Sequence, residues 1–422
     1  MSEFDKIIGY DGIKLELRRM CDVIKNPDKY AKLGVHVPKG LMIEGDPGLG
    51  KTLMATCFIK ESGCKTYTIR KDIPNGEFVK HIKDTYEKAK SEKMAIVFLD
   101  DIDKFANEDQ DHCDAEEYVT VQSCMDECTD NNVFTIATAN EAYRLPDSLK
   151  RAGRFDKVIE IESPEGSNAH KIVKHFLQSK KVVKDLDIEE ITRYLEDYSC
   201  AEIESLLNEA GIYAGFDGRN RIELKDIIEA ILRNRFGASF GEENDDQIDM
   251  REVAVHEAGH ALVFEVLSPG FVDFISIVRN GGGTKGTTVY SQRHEKSTKY
   301  IENRLASALG GKAAVEAVYE KPDSGCQNDL GCAYEYASDL VDDMCVFGFD
   351  AYVNRFSADF TKANKDRTVQ SLVRDKYELA RQIIVENRDF LDAIVEELLE
   401  KETLTYKDIE RIRKGRELVL SA

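Results

Sequence analysis

No stretch of this 422-residue chain approaches the roughly 20 consecutive apolar residues that a membrane-spanning helix needs. Residues 1–11 lack the pattern of a secretory signal. C-x-x-C pairs are absent, and the ten cysteines (Cys21, Cys57, Cys64, Cys113, Cys124, Cys128, Cys200, Cys326, Cys332, Cys345) are scattered. They read as reduced thiols, and the chain reads as a soluble, cytoplasmic one. Positive charge is in deficit. Lys and Arg number 58 against 79 Asp and Glu, a net charge of −21, which excludes a general nucleic-acid binder. Hydrophobic content of 42% excludes a disordered chain, and the length allows two or three domains with proper cores.

The chemistry centres on His256-Glu257-Ala258-Gly259-His260. The motif sits in an apolar run, Val253 to Leu267, with helical spacing. Positions i and i+4 share a helix face, so the two imidazoles can address one metal ion. Glu257 stands beside them, where it can take a proton from an activated water. The plain alternative, two surface histidines spaced by chance, leaves the apolar helical setting unexplained. Gly259 inside the helix costs about 1 kcal/mol against Ala, which predicts a close neighbour there. A catalytic zinc needs a third protein ligand, and the many downstream Asp and Glu leave it open.

A second motif lies far upstream. The apolar run Leu41-Met42-Ile43 reads as a strand leading into Gly45-Asp46-Pro47-Gly48-Leu49-Gly50-Lys51-Thr52, which fits G-x-x-x-x-G-K-[ST]. Glycines let backbone N–H groups wrap a phosphate at the start of a helix. Lys51 can reach the β/γ-phosphates of ATP and Thr52 can hold Mg²⁺. The partner of such a loop is a buried strand ending in acid, here Ala95 to Leu99 followed by Asp100 and Asp101. Asp100 serves the Mg²⁺ shell. Asp101 stands where a glutamate normally orients the attacking water, and its shorter reach predicts slow hydrolysis. A third strand, Val133 to Thr138, ends near Asn140, which can contact the γ-phosphate or the water. Arg151 and Arg154, in a tight turn, are candidate arginine fingers given to a neighbouring subunit in a ring.

Strands alternating with helices predict an α/β domain, residues 1–163, with a parallel sheet covered by helices on both faces. Helical patterns from Asn168 to Arg235 predict a lid, residues 164–236. The acidic, glycine-bearing stretch 237–249 reads as a linker. Residues 250–422 form the second, mainly helical domain. Within it, Phe274 to Val278 and Gly286 to Tyr290 look like strands joined by a glycine-rich loop, an edge that could pair with an extended peptide. Residues 107–117 read as a solvated acidic loop.

In this order the motifs resemble the AAA+ zinc metalloproteases of the FtsH type. The likeness runs from Phe4 through Val37-Pro38-Lys39-Gly40, the phosphate loop, the acidic strand end, Asn140, the paired arginines and Leu206 to Ala210. It continues through His256 to His260 and on to Leu399 to Leu404. It implies that Ile8 and Gly9 hold adenine and that Asp329, in Ser324-Gly325-Cys326-Gln327-Asn328-Asp329, is the third zinc ligand. Glu316 is the second candidate, better suited to supporting a ligand, and Cys326 and Cys332 gain no support as ligands. The departures are Asp101 for the usual glutamate, the absence of membrane spans, and the pore loop. Where the family carries a substrate-gripping aromatic this chain has Pro74, followed by Asn75 and Gly76, with Phe78 the nearest aromatic.

The resemblance implies an ATP-dependent zinc metalloendopeptidase, a homo-oligomer, as a hexamer, that threads and hydrolyses polypeptides using Zn²⁺, ATP and Mg²⁺. A mixed ring with membrane-anchored relatives would give peripheral membrane association. Two rivals are a zinc protease with a slow or inactive ATPase acting on loose substrates, and a non-proteolytic remodeller or scaffold. An intact Glu257 argues against the last.

Overall fold

The computed structural model describes residues 2–34, 37–106, 115–128, 133–238, 249–279, 286–291, 297–323, 325–354, 357–416 and 418–419, the side chains of residues 75 and 76 excepted. Most of the expected linker and acidic loop, and the glycine-rich loop at 280–285, lie outside these. The chain forms two compact units, Met1–Ile227 and Ile228–Ala422. Among the described residues no helix is long and apolar enough to cross a membrane.

The first unit opens with a short 3-10 turn (Glu3–Lys6), α1 (Asp11–Lys25) and α2 (Pro27–Ala31). Strands and helices then alternate: β1 (Gly40–Gly45), α3 (Lys51–Ser62), β2 (Lys65–Ile69), α4 (Asn75–Lys90), β3 (Ala95–Leu99), α5 (Glu116–Glu127), β4 (Val133–Ala139) and β5 (Lys157–Ile161). The sheet is parallel throughout in the order β2-β3-β4-β1-β5. β3 and β4 are buried along their whole length, as strands covered on both faces must be, so their sequences run apolar without alternating. Parallel pairing puts all the strand C-termini at one edge. There the register sets Ile69 beside Leu99 and Leu99 beside Ala137, which delivers Arg70, Asp100 and Thr138 to one place.

The helical lid follows as α6 (Gly166–Gln178), α7 (Ile188–Tyr194), α8 (Cys200–Phe216) and α9 (Leu224–Phe236), the last spanning the boundary between the units. A capping box starts α8: the Ser199 hydroxyl accepts from Glu202 N and the Glu202 carboxylate from Ser199 N. That turn meets the phosphate loop, where Ala201 N donates to Gly48 O at 3.1 Å. A Cβ on Gly48 would stand 2.8 Å from Ser199 Oγ, and its φ of +82° also requires glycine.

The second unit is built around α10 (Met250–Leu267), with β6 (Val272–Ser276) and β7 (Thr287–Tyr290), and α11 (Thr298–Ala308), α12 (Gly310–Tyr319) and α13 (Gln327–Ser338). Then come α14 (Asp359–Glu386), α15 (Arg388–Lys401), β8 (Thr403–Thr405) and α16 (Tyr406–Arg413). Asp249 caps α10 by accepting from Arg251 N and Glu252 N. The helix is buried nearly all round, as a central core helix should be. The close neighbour predicted at Gly259 is α12: a Cβ there would lie 2.5 Å from both Gly310 O and Ala314 Cβ. β6 and β7 form the expected antiparallel hairpin, and β8, a short strand within the mainly helical domain, pairs with the other side of β6. β7 is therefore an edge strand of the three-stranded sheet.

Candidate functional site

α10 sets His256 and His260 one turn apart, their ring centroids separated by 4.7 Å. Asp329, in the first turn of α13, completes a triangle. His256 Nε2 lies 3.0 Å and His260 Nε2 3.5 Å from Asp329 Oδ2, and the two Nε2 atoms are 3.1 Å apart. Zinc bonds of about 2.0–2.1 Å in a tetrahedron place ligand atoms roughly 3.3 Å from one another, so the triangle has the size that zinc requires.

The far sides of the rings fix which nitrogens face inward. His260 Nδ1 donates to the Ser307 carbonyl at 2.7 Å, a partner that can only accept. Gly311 N also approaches that nitrogen, at 3.3 Å, but the shorter contact decides where the proton sits. His256 Nδ1 faces Asp323 Oδ2 at 3.0 Å. Both Nε2 atoms therefore face the Asp329 carboxylate, so a positive charge, either a proton or a metal cation, must sit between them. Burial lowers the His256 pKa, but hydrogen bonds to Asp323 and Asp329 outweigh it and push the ring up to about 10. Burial raises the Asp329 carboxyl, and the two imidazoles override it, leaving the pKa well below the usual carboxylate range.

Glu257 is 7% exposed and borders the same cavity of about 800 Å³ as the triangle. Burial raises its pKa, which suits a base meant to accept a proton near neutrality. Thr288 Oγ1, on β7, donates to Glu257 Oε2 at 2.7 Å. A Cβ on Gly286 would lie 2.6 Å from Glu257 Cγ, so the strand passes this carboxylate only as glycine. Sequence reasoning missed Asp323, Thr288 and Ser307. None has a spacing signal, because each is brought in by another element.

Glu316 does not face the imidazoles. Burial raises its pKa, but bonds to Lys312 and Tyr377 overcome that, and it also accepts from the backbone N–H of Asp323. Cys326 is buried with its thiol on the Asp323 carbonyl, and Cys332 is exposed beside the cavity. Phe78 corrects the pore-loop expectation. It is fully buried, its ring 4.9 Å from Phe105, and so is not available to grip a substrate. Asn75 and Gly76 open α4, and the Asn75 side chain lies outside what is described.

In the first unit, Asp46, Pro47 and Leu49 lie with the glycines in the loop between β1 and α3. Lys51 is 5% exposed and donates to the carbonyls of Gly45 and Asp46 at 2.7 and 2.6 Å. Burial lowers its pKa. Asp100 Oδ1 accepts from Thr52 at 3.2 Å and from Thr138 at 2.9 Å, so the strand register assembles the two motifs. Asp100 Oδ2 is held by Arg70, with Nε at 2.8 Å and Nη2 at 2.7 Å. Asp101 has a φ of +54° and pairs with Lys104 at 2.7 Å. Neither Thr138 nor Arg70 carries a motif signal.

Asn140 follows β4, half-buried. Ile8 and Gly9 precede Tyr10, whose N–H donates to Asn168 Oδ1 on α6 at 2.8 Å. The two candidate finger arginines differ. Arg154 is committed within its own chain, to Asp126 at 2.8 and 3.0 Å, Gln122 at 3.1 Å and the Ser148 carbonyl at 2.6 Å. Arg151 is exposed.

A parallel-sheet nucleotide unit with a helical lid, joined in one chain to a helical unit with an HExxH metal triangle, defines an ATP-driven metallopeptidase. Comparison with known proteins agrees. Residues 41–163 match the ATPase family associated with various cellular activities, and residues 245–365 and 342–412 match peptidase family M41. The chain is 30% identical to ATP-dependent zinc metalloprotease FtsH 3 of Synechocystis sp. over 97% of its own length and 72% of that protein's. It is 30% identical to FtsH of Acholeplasma laidlawii (97% and 69%) and to the chloroplastic FTSH 5 of Arabidopsis thaliana (95% and 62%). The chain belongs to the FtsH family of ATP-dependent zinc metalloproteases. These relatives are named for their dependence on ATP and zinc, and His256, His260 and Asp329 are grouped closely enough to hold a metal ion.

Proposed function

We propose that this chain couples ATP turnover to endoproteolysis of polypeptides, with His256, His260 and Asp329 as zinc ligands and Glu257 as general base. The observation that carries this reading is the ligand triangle of 3.0, 3.1 and 3.5 Å with Glu257 on the same cavity. Zinc held there supplies a Lewis acid that polarises a carbonyl and acidifies water. Glu257, raised by burial and oriented by Thr288, takes the proton from the attacking water and returns it to the leaving amine.

On the nucleotide side, ATP with Mg²⁺ supplies the free energy. Lys51 exchanges its carbonyl partners for phosphate oxygens, Thr52 and Asp100 face the cation, Asn140 serves the γ-phosphate end, and Ile8 and Gly9 hold adenine. The domain limits 1–163, 164–236 and 250–422, with a linker at 237–249, fit this division of labour. In a homohexameric ring, exposed Arg151 is the residue free to reach a neighbour's nucleotide, while Arg154 fixes the turn that presents it. A cytoplasmic location, and mixed rings with membrane-anchored relatives, belong to the same proposal. Degradation of an unfolded protein by the wild type should require ATP and should fall to background in Lys51→Ala. Equal cleavage with and without ATP would leave only an uncoupled protease.

A second reading, slow ATP turnover, is favoured by one observation: the two acidic residues after β3 are engaged by Arg70 and Lys104. A guanidinium on Asp100 Oδ2 competes with a metal-bound water for the same oxygen. Arg70→Ala should lower the Mg²⁺ concentration that half-saturates nucleotide binding about two- to fivefold, the worth of an exposed ion pair. An unchanged Mg²⁺ titration would remove Arg70 from the account.

A further inference from the structure

We propose that Asp323 is a positioning residue of the metal centre, whose anchored carboxylate fixes the orientation and tautomer of His256 and so sets the affinity for zinc. This inference rests on reading His256, His260 and Asp329 as the ligands.

Asp323 lies between α12 and α13, six residues before Asp329, so one short segment supplies both a ligand and the group behind another ligand. Its side chain is 4% exposed. Each of its polar groups has a partner. The backbone N–H donates to Glu316. The carbonyl accepts from Cys326 Sγ at 3.4 Å. Oδ1 accepts from Gly325 N at 2.8 Å, which leaves Oδ2 directed at His256 Nδ1 at 3.0 Å. Glu316 is itself bound to Lys312 on α12 and Tyr377 on α14. The main chain at Asp323 is thus tied to two helices before the carboxylate meets the imidazole.

The two imidazoles are supported unequally. His260 leans on a neutral carbonyl, Ser307 O, whereas His256 leans on an anion. A carboxylate behind a ligating imidazole raises its basicity and spares the cost of orienting the ring when a cation arrives. A neutral carbonyl does the second more than the first. His256 is therefore the stronger donor of the pair, and Asp323 is the reason. The earlier family expectation gave Glu316 a supporting part. The contacts place it one step further back, as the residue that holds the main chain of Asp323.

The test is zinc affinity of the full chain, measured by competition with a chelator of known strength. Asp323→Ala should bind zinc about 10- to 100-fold more weakly, in line with losses for such supporting partners. Asp323→Asn keeps one side-chain oxygen for the Nδ1 proton, gives up the bond from Gly325 N and carries no charge, and should lose less than Asp323→Ala but at least about threefold. Added zinc should restore peptidase activity in both variants, an effect that a purely structural role would not give. Affinity of Asp323→Ala within twofold of wild type overturns the proposal. Should that variant fail to fold, parity of Asp323→Asn with wild type overturns it instead. If the wild type does not bind one zinc per chain, or His260→Ala binds it as well as wild type, the ligand assignment is at fault and not Asp323.

Discussion

Glu257→Gln should lower peptide-bond hydrolysis about 10²- to 10⁴-fold, the usual contribution of a positioned base, while zinc content and ATP turnover stay at wild-type levels. The substitution is nearly isosteric, and the Gln side-chain oxygen can still accept from Thr288 Oγ1, now 2.7 Å from Glu257 Oε2. What disappears is the capacity to take a proton. A thousandfold loss corresponds to about 4 kcal/mol of barrier. Cleavage of an unfolded protein, metal analysis and phosphate release, made on one preparation, separate the possibilities. Undiminished cleavage would move the base elsewhere. Intact biological activity despite lost cleavage would favour the scaffold reading, in which the ion is structural.

Gly311→Ala should weaken zinc binding about a hundredfold while the chain still folds. Helix propensity alone argues the other way, since Ala inside a helix is favoured over Gly by about 1 kcal/mol. Steric contact decides. The added methyl would stand 2.6 Å from His260 Nε2 and 2.7 Å from His256 Cε1 and Nε2. Neither ring can retreat, because Ser307 holds one and Asp323 the other from behind. Gly259→Ala, at the same crossing of α10 and α12, pushes on backbone and should cost about 1–3 kcal/mol of stability. Metal retained after dialysis, and melting with and without zinc, check both variants. A Gly311→Ala protein that keeps its zinc would show that α12 can move outward.

The sequence made the two motifs legible because each is local. A helix places His256 and His260 by its own period, and a strand–loop–helix places Lys51 and Thr52. Alternation of apolar runs was enough for the parallel sheet and its lid. The long-range members were not legible. Asp323, Ser307 and Thr288 each reach the site from a different element, and residue type alone cannot mark them among 79 acidic residues and many hydroxyls. Arg70 depends on the register of β2 against β3, which no periodicity fixes. Phe78 misled because an aromatic near a loop looks available, yet one turn into α4 its ring already points into the core. β8 was missed because three residues at the end of a helix give too short a pattern to read.

The bond from Ala201 N to Gly48 O ties the first turn of α8 directly to the phosphate loop. At 1.5 Å per residue the 17 residues of that helix reach about 25 Å. A tilt of about 5° at the Ser199 end would swing Phe216 through roughly 2 Å.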